Sequence, residues 1–196
     1  MAKSIPAIIL SGGLSKRLGK PKALVEVNGT TLLEHAIDKL HNVGCNPIVV
    51  VVNKDLQFEA LMRSKGAVIV VNKNPEKGRT GSLKIGLNSI LSELGRMPKS
   101  VIMSPIDRPG WKSGHITKLL ESNVSSCLLQ NGKKGHPVHL VKSDLLNVIN
   151  ASDDTPLRDL VDFDTVEIHD GLLSLNIDTP DDLTILLDNS QFFDKL

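Results

Sequence analysis

The chain has 196 residues, of which 40% are hydrophobic, and a formal net charge of +1. That length and apolar content suit one domain with a single buried core, and the near-neutral charge argues against long-range steering toward nucleic acid or an anionic membrane surface. Cys45 and Cys127 lie far apart and outside any CxxC pair, which argues against a zinc site or a disulfide framework. The N-terminus has too few apolar residues for a signal peptide, and no run approaches the ~18 residues of a membrane span. We therefore expect a soluble cytoplasmic protein, with no nucleic-acid or membrane partner and an oligomeric state that the sequence leaves open.

Short aliphatic runs alternate with segments of helical periodicity. The predicted strands are residues 6–10, 47–52, 67–71, 100–104, 126–130, 136–141 and 172–177. The predicted helices are 31–43 and 81–94, each followed by a glycine, and 179–189 with Thr179 as its N-cap. This alternation predicts an α/β fold with three α/β/α layers, a mixed but mostly parallel sheet and one domain over residues 1–196. We expect the strand at 136–141 to run antiparallel or to lie at an edge.

The loop after the first strand reads SGGLSKRLGKPK, residues 11–22. Gly12 and Gly13 allow backbone N–H groups to approach an anion closely, and Arg17 and Lys22 are suited to phosphate oxygens. Ligands of open α/β sheets bind beyond the carboxyl ends of the strands, where this loop is expected. We therefore predict a triphosphate cradle, although the loop matches neither GxGxxG nor GxxxxGK[ST] and a solvated basic turn is the alternative. Further members of the predicted cradle are Leu10, Ser11, Lys16 and Lys20.

Two aspartates follow predicted strands. Asp107 follows the apolar stretch SVIMSPI, which begins with the predicted strand at 100–104, and Asp178 follows the predicted strand at 172–177. A carboxylate at such a strand end is suited to hold Mg²⁺ while water and phosphates complete the octahedron. The alternatives are an Asx turn for Asp107 and organisation of the helix entry for Asp178.

Polar residues near the same predicted edge are candidates for nucleotide recognition. Asn53 and Asn74 follow the second and third strands, and Gly78 and Ser82 precede or begin a helix whose first N–H groups can face a phosphate. Each asparagine is equally suited to cap a turn, and Ser82 to cap the helix. Two roles remain for Trp111, which can line an acceptor pocket or pack in the core.

The stretch ILSGGLSKRLGKPKALVEVNGTTLLEHAI resembles the LxGGxSxRxG signature of sugar-nucleotide and molybdenum-cofactor nucleotidyltransferases, the MobA-like NTP transferases. NPEKGRTGSLKIGL, PIDRPG, GHPVHL and NIDTPDDL resemble the same family in the same order. The resemblance implies a Rossmann-like domain that uses Mg²⁺, transfers NMP from CTP or GTP to a phosphorylated acceptor such as molybdopterin, and releases pyrophosphate. It also implies metal roles for Asp107 and Asp178 and places His136 on the acceptor side.

The resemblance leaves the base and the acceptor open. SGG is similar to the guanylyltransferase branch, which implies GTP binding, whereas IDRPG and GHPVHL are similar to the cytidylyltransferase branch. The alternatives are a sugar-phosphate or cobinamide-phosphate acceptor, or a nucleotide-binding protein without turnover, which would tolerate Asn in place of Asp107. An NAD-dependent oxidoreductase is disfavoured because GxGxxG is missing and Asn53 stands where an acidic residue is expected.

The mechanistic hypothesis needs two carboxylates and two cationic side chains in one place. Mg²⁺ held by Asp107, and shared with Asp178, would bridge the α-phosphate, while Arg17 and Lys22 neutralise the departing pyrophosphate. Arg17 and Asp107 must then lie at the same edge of the sheet.

Overall fold

A computed structural model describes residues 4–15 and 17–193, so the predicted role of Lys16 lies outside the described residues. The strands are β1 Ala7–Ser11, β2 Glu26–Val27, β3 Thr30–Thr31, β4 Ile48–Val52, β5 Val68–Val71, β6 Ser100–Pro105, β7 Ser126–Gln130, β8 Lys133–Val141 and β9 Asp164–Glu167. The α-helices are α1 Leu32–His41, α2 Gln57–Met62, α3 Arg79–Leu94, α4 Ser113–Leu120, α5 Lys142–Asn150 and α6 Pro180–Asp188. Short 3₁₀ turns cover Lys22–Leu24, Pro75–Lys77, Leu157–Asp159 and Ser190–Phe193.

Within these described ranges, the main sheet has the order β5-β4-β1-β6-β8-β7-β9. Its pairs are parallel except those of β8, which runs antiparallel to both β6 and β7. The prediction of a mixed, mostly parallel sheet is confirmed. Of the two expectations for the strand at 136–141, the antiparallel one holds, since β8 is antiparallel and lies inside the sheet.

The sheet is covered on both faces, as its continuous apolar strands predict. Ala7 and Ile9 of β1 pack in one core with the helices α1, α4 and α6, while Ile8 and Leu10 pack in the other with α3 and α5. The three-layer architecture is therefore confirmed, whereas one domain over residues 1–196 stays a prediction.

Two predicted helix starts are confirmed by their caps. Thr31 and Glu34 form a reciprocal capping box at α1, and Thr179 and Asp182 form another at α6. By contrast α3 begins at Arg79, two residues before the predicted start, because Gly78 with φ of 103° ends the preceding 3₁₀ turn.

The predicted strand at 172–177 is wrong. Leu173, Leu175 and Ile177 are buried in alternation, as a strand would be, but the backbone pairs with a loop. The Leu172 N–H donates to the Gly110 carbonyl (2.7 Å) and the Ile177 N–H donates to the Asp107 carbonyl (2.9 Å). The segment is thus attached to the loop after β6 and fixes the position of Asp107 from the outside.

Two sequence expectations concern absences. No helix in residues 4–15 and 17–193 is long and apolar enough to cross a membrane. Cys45 and Cys127 are buried and free of disulfide bonds.

Candidate active site

A cavity of about 300 Å³ opens at the carboxyl ends of β1 and β6. Eight predicted site residues line it: Leu10, Ser11, Gly12, Gly13, Lys22, Gly78, Ser82 and Asp107. They come together because β1 and β6 are parallel neighbours, so the segments that follow both strands leave the sheet at one edge.

The glycine loop is held in place by Asn53. The Asn53 amide donates to the carbonyls of Gly12 (3.4 Å) and Gly13 (3.2 Å), and its oxygen accepts from the Leu56 N–H (3.0 Å). Asn53 therefore shapes the loop that lines the cavity, and its own side chain is outside that lining.

Lys22 lies between the two predicted metal aspartates. Its Nζ is 2.5 Å from Asp178 Oδ1 and 3.8 Å from Asp107 Oδ2. Arg17 is 3.4 Å from Asp178 Oδ2, so Arg17 and Asp107 both lie beside the pair of Lys22 and Asp178. The Lys22 hydrogen bond holds the pKa of Asp178 below its usual value, with Asn176 and the charge of Arg17 assisting.

The two aspartates differ in what they offer a cation. Both oxygens of Asp178 have partners, since Oδ1 accepts from Lys22 and Oδ2 accepts from Asn176 (2.6 Å). Asp107 Oδ1 is buried and has no hydrogen-bond partner among the described residues. A buried carboxylate oxygen without a partner is unusual and suits a hard cation. No cluster of three or more His, Cys, Asp or Glu arranged for a metal occurs in residues 4–15 and 17–193.

The start of α3 closes the cavity from another side. Ser82 is buried in the first turns of the helix, so it is not the helix cap, and its Oγ accepts from the Asn72 amide (2.9 Å). Asn72 also accepts from the Asn74 N–H (2.8 Å), while the Asn74 side chain is exposed and outside the cavity lining. The Gly81 N–H, in the first turn of α3, donates to the Asp153 carbonyl (2.9 Å).

Sequence reasoning missed Asn72, although a signal was present. The letters VVNK occur twice, at residues 51–54 and 70–73, and in both places an asparagine follows a strand and holds a loop of the cavity. The repeated ending of neighbouring parallel strands was the signal.

A second cavity of about 560 Å³ lies beside the first, and Arg79 lines both. His136 lines the second, together with the cations Lys134 and Arg158 and with apolar walls that include Phe163. His136 Nε2 is 3.4 Å from the Arg79 guanidinium, and its Nδ1 is buried without a partner among the described residues. Burial, with the charges of Arg79 and Arg108, lowers the pKa of His136 to about 3, so its ring is neutral.

The structure decides between the two roles of Trp111 and adds Arg79 to the site. Trp111 is 1% exposed and packs in the core, so its packing interpretation is confirmed. Arg79 was missed, and its signal was its place directly after the helix-breaking Gly78.

Comparison with known proteins identifies the family. Residues 7–172 match the MobA-like NTP transferase domain. The chain is 33% identical over 131 residues to a probable molybdenum cofactor guanylyltransferase of Pyrococcus horikoshii, covering 58% of this chain and 66% of that protein. It is 28% identical over 189 residues to the molybdenum cofactor cytidylyltransferase of Escherichia coli, covering 91% and 93% of the two chains.

Solved structures support the fold. The crystal structure of Rv0371c from Mycobacterium tuberculosis has a TM-score of 0.81 at 20% identity, covering 96% of this chain and 99% of that one. A manganese complex of Rv0371c has a TM-score of 0.73 at 17% identity, covering 95% and 99%. Since the family match spans most of the chain, this protein belongs to the MobA-like NTP transferase family of nucleotidyltransferases.

Proposed function

We propose that the protein transfers NMP from CTP or GTP to a phosphorylated small-molecule acceptor of the molybdenum-cofactor type, with Mg²⁺ as cofactor. The observation that carries the proposal is the position of Lys22 between Asp107 and Asp178, at the wall of a cavity formed by the glycine loop. The cytidylyl- and guanylyltransferase names of the two relatives support this class of reaction.

The reaction makes one bond and breaks one. An oxygen of the acceptor phosphate bonds to the α-phosphorus, the bond from that phosphorus to the oxygen bridging toward the β-phosphate breaks, and pyrophosphate leaves with the electron pair. Such a transfer needs positioning and charge neutralisation more than covalent help. Lys22 and Arg17 supply positive charge to the leaving pyrophosphate, and the backbone of Gly12 and Gly13 permits its close approach.

Asp107 is the residue that would hold the ion through its unpartnered Oδ1, with Asp178 as the second carboxylate once Lys22 turns to phosphate. When bound, Mg²⁺ supplies charge neutralisation to the transferring group and takes its other ligands from water and phosphates. The manganese complex of Rv0371c supports a divalent cation. Mg²⁺ in particular is part of the proposal.

The acceptor takes the second cavity. Its phosphate would lie near Arg79, which is shared with the nucleotide cavity, and its apolar body would lie against walls such as Phe163. His136 is neutral and offers a hydrogen-bonding ring at the same wall. Of the remaining predicted nucleotide-binding residues, Asn53 shapes the site through its contacts with the glycine loop. A nucleotide contact of Asn74 stays a prediction, and the cytoplasmic location stays a prediction too.

A thermal-shift titration with CTP, GTP, ATP and UTP, each with Mg²⁺, tests nucleotide binding and identifies the base. Pyrophosphate release with the preferred NTP and molybdopterin then tests transfer, with glucose 1-phosphate and cobinamide phosphate as alternative acceptors. Stabilisation by no NTP contradicts the proposal. Binding without release with any acceptor favours the non-catalytic alternative.

A further inference from the structure

A lysine is buried beneath the loop that carries Asp107. Lys39 of α1 is 2% exposed, and its Nζ donates a hydrogen bond to the Pro109 carbonyl (3.1 Å). Burial lowers the pKa of Lys39 to about 7. Burying an ammonium group costs stability compared with burying an apolar side chain of similar size. Global stability therefore does not explain a lysine at this position.

Aromatic rings surround the Lys39 ammonium. Its Nζ lies 4.7 Å from the ring centre of Phe193, 5.1 Å from that of Trp111 and 5.5 Å from that of Phe192. The chain has only five Phe and Trp residues, and three of them gather around this one ammonium. Ring faces attract a desolvated cation, so this aromatic cage offsets part of the cost of burying the ammonium.

The Pro109 carbonyl is a fixing point of the loop. It accepts from Lys39 and also from the Trp111 N–H (2.9 Å). On the other side, the loop is held by the 172–177 segment through the carbonyls of Asp107 and Gly110. The loop is therefore held by Lys39 of α1 on one side and by the 172–177 segment on the other.

We propose that Lys39 is a positioning residue that fixes the loop carrying Asp107 by holding the Pro109 carbonyl from below. Lys39 fixes the position of the loop and does not raise the global stability, because an apolar residue at this position would stabilise the fold equally well or better. The effect on catalysis rests on the proposed function, whereas the effect on the loop does not.

Other titratable groups lie near the aromatic cage. The His35 ring is 5.2 Å from that of Phe193, on the same helix as Lys39, and burial lowers the pKa of His35. From the side of α4, Lys112 lies 5.3 Å from the Phe192 ring, and Lys112 and His115 both pair with Asp170. A test by pH must separate Lys39 from these groups.

Trp111 gives a direct spectroscopic test because the chain has one Trp and no Tyr. In the wild type, we expect Trp111 emission to change with a midpoint near pH 7, where Lys39 loses its proton. Lys39→Met removes this step, Lys39→Arg holds the emission at its low-pH level, and His35→Gln keeps the step. Lys84→Met is the matched control, because Lys84 also donates to a backbone carbonyl, that of Ala151 (2.8 Å), but in the other layer.

Hydrogen exchange measures the loop itself. In Lys39→Met the amides of residues 106–111 should exchange on the order of 5-fold faster, as expected for loss of one hydrogen bond, and Lys39→Arg should restore slow exchange. Lys84→Met should accelerate exchange at residues 151–155 and leave 106–111 unchanged. If Lys39→Met does not fold, Phe193→Leu, which opens the cage and keeps Lys39, must give the same acceleration.

Unchanged exchange of residues 106–111 in folded Lys39→Met would overturn the proposal, as would a Trp111 emission step that survives in that variant. If the loop responds as expected but the wild type transfers no nucleotide to any acceptor, the proposed function fails and the positioning role stands.

Discussion

The two aspartates of the candidate site have different surroundings. Asp178 is stabilised by Lys22, Asn176 and Arg17, whereas Asp107 keeps one buried oxygen without a partner among the described residues. A cation that reached Asp107 Oδ1 would therefore displace no hydrogen bond of the described residues. At Asp178 the same cation would first have to displace Lys22.

Asp107→Asn should lower pyrophosphate release by about 100-fold or more, because it removes the charge that holds the cation. Affinity for the NTP in the absence of metal should be nearly unchanged. Steady-state release of pyrophosphate and a metal-free binding titration measure the two quantities. Glu93→Gln, an exposed change near the far end of α3, is the control. Near wild-type release by Asp107→Asn would remove Asp107 from the mechanism.

Lys22→Ala should weaken binding of the NTP by about 10- to 100-fold, the range expected for a charge-assisted contact with phosphate. Binding of the corresponding NMP should change little, because the contact is proposed with the departing pyrophosphate. Calorimetric titration of both ligands makes the comparison. Equal losses for NTP and NMP would place Lys22 elsewhere.

At the level of elements, the loop after β6 and the 172–177 segment form one unit. A Cβ on Gly110 would lie 2.0 Å from the carbonyl oxygen and 2.5 Å from the carbonyl carbon of Leu172, so the backbone itself would have to shift. Gly110→Ala should therefore lower the free energy of unfolding by about 3 kcal/mol. Gly114→Ala, where a Cβ meets nothing within 4 Å in the first turn of α4, should be neutral or stabilising. Urea unfolding measures both, and equal stability of the two variants would contradict this packing.

Lys39 predicts a pH dependence of stability. Its folded pKa of about 7 lies below the ordinary 10.5, so between these values the unfolded chain binds one more proton at this residue than the folded chain. The free energy of unfolding should therefore rise with pH from about 7 to 10.5 in the wild type, and this contribution should be absent in Lys39→Met. Thermal unfolding at pH 6 and pH 9 makes the test. Lys39→Met should be more stable than the wild type at pH 6, and this advantage should be smaller at pH 9.

The sequence predicts those parts of the fold and site that depend on local pattern. β1, β4 and β6 are mostly apolar runs, and Asp107 lies two residues after the end of β6. The prediction of a strand at 172–177 was wrong because every second residue is buried both in a strand and in an extended segment that is hydrogen-bonded to a loop. Lys39 was missed because its partner Pro109 is 70 residues away, although a lysine among the apolar positions 32, 36, 37 and 40 of a helix was a signal.

For the whole molecule, strand order explains why two cavities adjoin. β1 lies between β4 and β6 in the sheet. After β1 the chain goes to β4 and β5 on one side and returns to β6 on the other side of β1, which opens a crevice at the carboxyl edge. β8 runs antiparallel to β6 with Met103 opposite Val138, so the beginning of β8, with His136, lies at that same edge. The reversal of one strand thus brings a residue from late in the chain beside the loop from its start.

Arg79 belongs to both cavities, whereas Arg158 lines the second alone. If nucleotide and acceptor occupy adjoining cavities, Arg79→Ala should raise the KM of both substrates by about 10-fold, because each loses one charge-assisted contact. Arg158→Ala should raise only the KM of the acceptor, and by less, because its side chain is 86% exposed. Bisubstrate kinetics measure the four values. An Arg158→Ala effect on the KM of the nucleotide, or an Arg79→Ala effect on the KM of one substrate alone, would contradict this assignment of the two substrates to the two cavities.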